Sequence, residues 1–175
     1  LYLVAHSMGG LVSRAALVAM PDGGEKVKRL IMLGTPNGGS FIPVQVLRGV
    51  APVVKNVAAL DLRHSVDELV GDVFSTFPGL YEMLPTREKF STVDLYDPAT
   101  WSRFKVRPRA ALLKQAPAVQ AQLASPDERF CLIAGINQRT ITDLRQSDGE
   151  FEYIESDDVR ALRDEYYHGH QRLSM

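Results

Sequence analysis

Leu1-Tyr2-Leu3-Val4-Ala5 is an uninterrupted apolar run that breaks at His6-Ser7-Met8-Gly9-Gly10, and helix-periodic residues follow at once. Apolar residues without alternation are the pattern of a strand in the middle of a parallel sheet. Leu11, Val12, Ala15, Ala16 and Ala19 then keep helical spacing, and Pro21-Asp22-Gly23-Gly24 stops a helix read from Gly9 to Met20. Val27 to Leu33 reads as the next strand, closed by Gly34-Thr35-Pro36-Asn37-Gly38-Gly39-Ser40. Strand, helix and strand in so short a span predict a βαβ unit with a right-handed crossover.

The turn between the first strand and its helix carries the chemistry. Ala5-His6-Ser7-Met8-Gly9 has the small-x-Ser-x-Gly pattern of a nucleophile elbow, in which a serine on a sharp strand-to-helix turn has its hydroxyl pushed out of the backbone. The residues two before and two after such a serine must be small, because strand and helix backbones pass close together; Ala5 and Gly9 meet that demand. A serine on an ordinary β–α turn is the competing interpretation. The apolar strand, the glycine-started helix and the second strand weigh against it.

A serine hydroxyl attacks poorly until a base removes its proton, so Ser7 as nucleophile demands a histidine and an orienting acid. In this arrangement the chain order is serine, acid, histidine. Glu155, Asp157 and Asp158 lie in that order before His168 and His170. His170 is the expected base, with His168 as its alternative, since an unperturbed imidazole titrates near about 6.5. Asp158 is the expected acid, with Asp157 as its alternative and Asp143 as runner-up. The backbone N–H of Met8 is expected to serve as one oxyanion-hole donor, a role worth about 2.7–4 kcal/mol by mutagenesis. His6 is expected to pack or shape the turn rather than act as base. His64, in the polar turn Asp61-Leu62-Arg63-His64-Ser65, is expected at the surface.

Between these ends the strand–helix alternation breaks. Helical stretches around Val44–Leu60, Val66–Phe74 and Arg109–Leu123 mix with proline turns at Pro78, Pro85, Pro98 and Pro108, and Pro117 is expected to kink or divide the last of these helices. Phe130 to Ala134 resumes the sheet, and Thr140 to Ile154 alternates around Asp148-Gly149, the mark of a β-hairpin. Beyond it, a short helix near Val159–Arg163 and a strand at Glu165–Tyr167 are expected to lead to the late histidines. The expected organisation is residues 1–40 as the elbow part of an α/β core, 41–128 as a helical cap insertion, and 129–175 as the C-terminal core strands and hairpin.

Charge and cysteine usage narrow the partners. Lys and Arg total 20 against 21 Asp and Glu, a net charge of −1, so no surplus of cations is available to hold a nucleic acid. Cys131 is the single cysteine, so no intrachain disulfide can form, and its apolar setting predicts a buried structural thiol. No apolar run reaches the length of about 18 residues that a spanning helix needs.

Ala5-His6-Ser7-Met8-Gly9-Gly10, followed by Leu30-Ile31-Met32-Leu33-Gly34-Thr35-Pro36-Asn37-Gly38-Gly39-Ser40, resembles the lipase and lecithin:cholesterol acyltransferase-like branch of the α/β-hydrolases. Phe77-Pro78-Gly79-Leu80-Tyr81-Glu82-Met83-Leu84-Pro85 and Tyr96-Asp97-Pro98-Ala99-Thr100-Trp101 are similar to cap segments of that branch, and the likeness reaches the hairpin. The resemblance implies a mainly parallel sheet flanked by helices, and hydrolysis of a carboxylic or lipid ester through an acyl-enzyme on Ser7. Transfer of the acyl group to an alcohol, or a noncatalytic interaction domain on the same scaffold, are the alternatives. It implies no metal or organic cofactor, an ester or lipid substrate, and transient contact with a membrane or lipid surface through the cap.

The family carries Gly-Asp-Gly-Thr-Val after the hairpin where this chain has Ser156-Asp157-Asp158-Val159. It also places several strands, and a second oxyanion donor, before the nucleophile. The resemblance therefore implies a C-terminal portion whose N-terminal strands are missing. Such a fragment is expected to expose an apolar sheet edge and to be nearly inactive when isolated.

Overall fold

The computed structural model describes residues 1–22, 24–87, 93–136 and 138–156. They form two compact units: Leu1–Gly38 with Ala121–Thr142 and the described residues from Glu155, and Gly39–Gln120 with Asp143–Ile154.

The first unit is a three-stranded parallel sheet with a helix on one face. Strand β1 (Tyr2–His6) leads into α1 (Met8–Ala19), which returns to β2 (Arg29–Leu33); β3 (Phe130–Ile133) pairs with the far side of β2. In this register Val4 lies opposite Ile31, and Ile31 opposite Cys131. The strand–helix–strand unit expected from the first residues is thus present. Alternation sends Leu3, Ala5, Leu30, Met32, Phe130 and Leu132 to one side, where they pack with Leu17 of α1 and Val27. A side chain such as Leu17 or Leu30, each almost wholly out of water, contributes about 1.5–3 kcal/mol. The helix ends at Met20, whose extended backbone precedes Pro21.

The other face of this sheet corrects two expectations. Tyr2, Val4 and Ile133 are exposed, and so is Cys131, which was expected to be a buried thiol. Among the described residues β1 pairs only with β2, and helix α1 covers only one of the two apolar faces. An apolar strand composition anticipates cover on both sides; among the described residues β1 has a strand neighbour on one side and helical cover on one face.

The second unit is mostly helical. Its elements are α2 (Ile42–Leu47), α3 (Pro52–Leu60), α4 (Val66–Glu68) running on as a π turn (Leu69–Val73) and a 3-10 turn (Phe74–Thr76), α5 (Pro78–Glu82), a 3-10 turn (Pro98–Trp101) and most of α6 (Ala110–Ala121). The single helix expected over Val44–Leu60 is two, because Gly49 takes a left-handed φ of 69° and Pro52 starts a new helix. Ser65 and Glu68 close a capping box at the start of α4. Val46, Ala51, Val54 and Val70 form the core beneath these helices.

Pro117 does not divide α6. Buried Leu113 and Ala116 anchor the helix before the proline, and Gln120 Nε2 donates to the Glu82 and Leu84 carbonyls after it. The missing amide costs one backbone bond, which these contacts offset. The hairpin is as expected: β4 (Thr140–Ser147) and β5 (Glu150–Ser156) meet at Asp148 and Gly149, both at positive φ, the combination a two-residue type I′ turn demands. Inside this unit Trp101, Phe104 and Phe151 meet edge to face, and the Arg48 guanidinium lies 3.3 Å from the Phe104 ring centre while pairing with Glu150 at 2.8 Å.

Candidate active site

Ser7 stands between the last residue of β1 and the first of α1, with φ 52° and ψ −128°. A residue with a Cβ seldom adopts positive φ, and holding it there costs about 1–3 kcal/mol unless the surroundings over-determine it. The surroundings do. The Ser7 N–H donates to the Leu33 carbonyl at the end of β2 (2.9 Å), and the Gly10 N–H donates back to the Ser7 carbonyl (3.1 Å). The turn is thus pinned to the neighbouring strand on one side and to its own helix on the other.

The small residues around the turn have unequal roles. A Cβ built on Gly9 would stand 3.9 Å from the Ala5 Cβ, an ordinary contact, so position 9 has room for a methyl group. Gly10 has none. A Cβ there would collide with the Thr35 side chain, with Cγ2 at 2.6 Å and Cβ at 2.8 Å. Thr35 is buried in the loop after β2, and that loop is folded on itself by the Asn37 N–H donating to the Thr35 carbonyl (2.9 Å).

Arg14 completes this junction. From the second turn of α1 its Nε donates to the Ala124 carbonyl and its Nη1 to Asn37 Oδ1, both at 2.9 Å. Burial holds its pKa below the usual guanidinium value. Gly10, Arg14, Thr35 and Asn37 were not singled out from the sequence. Gly10, Arg14 and Leu17 recur at helical spacing and so share one face of α1.

The remaining expected residues divide cleanly. Met8 opens α1 and is exposed; its backbone N–H is the first of the helix, a position with no intrahelical acceptor. His6 is exposed rather than packed, on the uncovered side of β1. Asp143 lies in β4, half-buried, with its carboxylate accepting the Leu144 N–H (2.8 Å). Asp157, Asp158, His168 and His170, with the helix and strand expected near them, lie outside the described residues. His64 is at the surface as expected and engages Asp61: Nδ1 and Oδ2 are 2.8 Å apart, and this bond raises the imidazole pKa.

Among the described residues no group of three His, Cys, Asp or Glu side chains could hold a metal ion, and no helix is long and apolar enough to cross a membrane. No curated protein and no solved structure matches the chain. Residues 1–74, which include β1, the Ser7 turn, α1 and β2, match the family model of the PGAP1-like alpha/beta domain, a member of the alpha/beta hydrolase superfamily, and this match points to a hydrolase-type function.

Proposed function

We propose that the protein is a serine hydrolase of carboxylic or lipid esters, of the lipase and lecithin:cholesterol acyltransferase-like kind, with Ser7 as nucleophile. The observation that carries this reading is the Ser7 backbone. A non-glycine residue at φ 52° on a strand-to-helix turn is costly, and costly geometry concentrates at functional sites. The turn places Ser7 immediately before the first-turn amides of α1, beginning with that of Met8. Those amides, at the positive end of the helix, are suited to a developing oxyanion.

The reaction follows from these groups. A base removes the Ser7 proton as Oγ attacks the ester carbonyl, and the Met8 N–H donates to the oxyanion of the tetrahedral intermediate. The base then returns the proton to the departing alcohol, and water repeats the sequence to free the acid. His170 or His168 is the proposed base, with Asp158 or Asp157 as its orienting acid. We assign residues 41–128 as the cap insertion of such a hydrolase. Val53, Val57 and Leu60, exposed on α3, support a transient contact of that segment with a lipid surface.

The test is hydrolysis of p-nitrophenyl butyrate and p-nitrophenyl palmitate by the full-length gene product, beside Ser7→Ala. Activity that disappears with the substitution establishes a serine esterase, and the ratio of the two substrates separates short-chain from long-chain preference. Product analysis with an added alcohol distinguishes acyl transfer from hydrolysis. A folded wild-type protein that neither hydrolyses the esters nor is labelled at Ser7 by a fluorophosphonate overturns the reading.

A further inference from the structure

A strained turn keeps its shape only if its neighbours cannot move away. Three ties hold the Ser7 turn and its helix against the end of β2 and the segments beside it. The first is the Ser7 N–H to Leu33 carbonyl bond, and the second is the closure of Gly10 against Thr35. The third is the Arg14 fork, which reaches both Asn37 and Ala124.

The third tie is chemically unusual. Arg14 is half-buried, yet among the described residues both of its acceptors are neutral oxygens, an amide side chain and a backbone carbonyl. Taking a guanidinium out of water without a carboxylate partner is unfavourable. Its geometry explains what it does there. Arg14 lies about 10 Å down the helix axis from the turn, and side chains on a helix lean toward its N-terminus. Its rigid, planar donor fork therefore spans back from the body of α1 to the Thr35–Asn37 loop beside Ser7. A lysine has one compact ammonium and cannot occupy both acceptors in the same planar arrangement.

We propose that Arg14 is a positioning residue: by tying α1 to Asn37 and Ala124 it holds the Ser7 turn in the geometry that nucleophilic attack needs. This rests on the reading of Ser7 as nucleophile. Arg14 itself touches no reacting atom. Loosening it changes where Oγ and the first-turn amides stand, and so affects the chemical step rather than substrate binding.

The test compares the full-length wild type with Arg14→Gln, Arg14→Lys, Asn37→Ala, Asn37→Asp and the Arg14→Gln/Asn37→Ala double variant. In folded Arg14→Gln, kcat on p-nitrophenyl butyrate and the rate of fluorophosphonate labelling are expected to fall by at least about ten-fold, since a misplacement on the order of 1 Å is enough for that. KM is expected to change by less than about two-fold, the pattern of an interaction that matters in the transition state. Arg14→Lys recovers part of the loss, and Asn37→Asp, which keeps the acceptor and adds a charge, stays close to wild type. The double variant is no slower than Arg14→Gln alone, because both substitutions break one tie.

Unchanged kcat and labelling in folded Arg14→Gln overturns the proposal, as does a double variant whose losses multiply. If Arg14→Gln does not fold, folded Asn37→Ala decides: slowed labelling supports the tie, and unchanged labelling overturns it. Failure of the underlying reading has a separate signature, a folded wild type with no Ser7-dependent labelling, and it removes this proposal as well.

Discussion

Gly10 on helix α1 and Thr35 in the loop after β2 approach so closely that no side chain fits at position 10, whereas Gly9, one residue earlier, faces only an ordinary contact with Ala5. Both glycines sit in the first turn of the same helix, and the sequence pattern picks out Gly9 rather than Gly10. Gly10→Ala must push Thr35 or the helix aside, and overpacking of this kind costs about 1–3 kcal/mol. Gly9→Ala fits, and removing a helical glycine gains up to about 1 kcal/mol. Urea denaturation of the two variants therefore moves in opposite directions. Equal shifts would mean that the closeness of Gly10 and Thr35 is not what holds the turn.

Ser7 offers a second comparison. Ser7→Ala and Ser7→Gly both remove the hydroxyl, so both are expected to abolish ester hydrolysis and fluorophosphonate labelling. They differ in the Cβ that a φ of 52° disfavours. Relief of that strain outweighs the entropy of an added glycine, making Ser7→Gly more stable than Ser7→Ala by about 1 kcal/mol. Thermal unfolding of the two proteins checks this directly. A glycine variant less stable than the alanine variant would show that the backbone at Ser7 is relaxed.

Much of this architecture was legible because it is local. The run Leu1–Ala5, the helical spacing from Leu11 and the Asp148-Gly149 turn each declare their structure within a few residues. The boundary between α2 and α3 was missed because apolar residues from Val44 to Leu60 suit one helix, while Gly49 in a left-handed conformation requires two. Pro117 does not divide α6, since the anchors that keep the helix whole, such as Gln120 on the Glu82 and Leu84 carbonyls, are contacts made across the fold. The surroundings of the candidate Ser7 turn were less legible for the same reason. Ser7 announces itself by its flanks, but Thr35, Asn37 and Arg14 matter only through which atoms they meet.

Cys131 converts the uncovered sheet face into a measurement. It shares that face with Val4 and Ile31 in the strand register and is exposed to solvent. A disulfide reagent is expected to modify it stoichiometrically in native buffer, without denaturant. If modification waits for urea, something covers this face in solution.

The His64–Asp61 pair predicts a pH dependence with a defined sign. The hydrogen bond to Asp61 raises the His64 pKa above its ordinary value of 6.5, and the Asp61 carboxylate falls below 3.8 chiefly by accepting the Arg63 N–H, with His64 second. A raised folded pKa gives stability that is complete below the ordinary imidazole value and is lost as pH rises through the shifted one. A lowered carboxylate pKa gives stability present above its ordinary value and lost as pH falls. The pair is therefore strongest in the acidic interval between the two, and its effect fades toward alkaline pH as His64 loses its proton. Glu68 and Asp72 add a further pull in the same direction on His64. Titration of the His64 ring by NMR is expected to show a midpoint above 6.5 that drops on Asp61→Asn. His64 is solvent-exposed and Asp61 only half-buried, so high salt should shrink the shift by screening its Coulombic part while leaving the short hydrogen bond in place. A midpoint indifferent to Asp61→Asn would mean that this turn is not closed in solution.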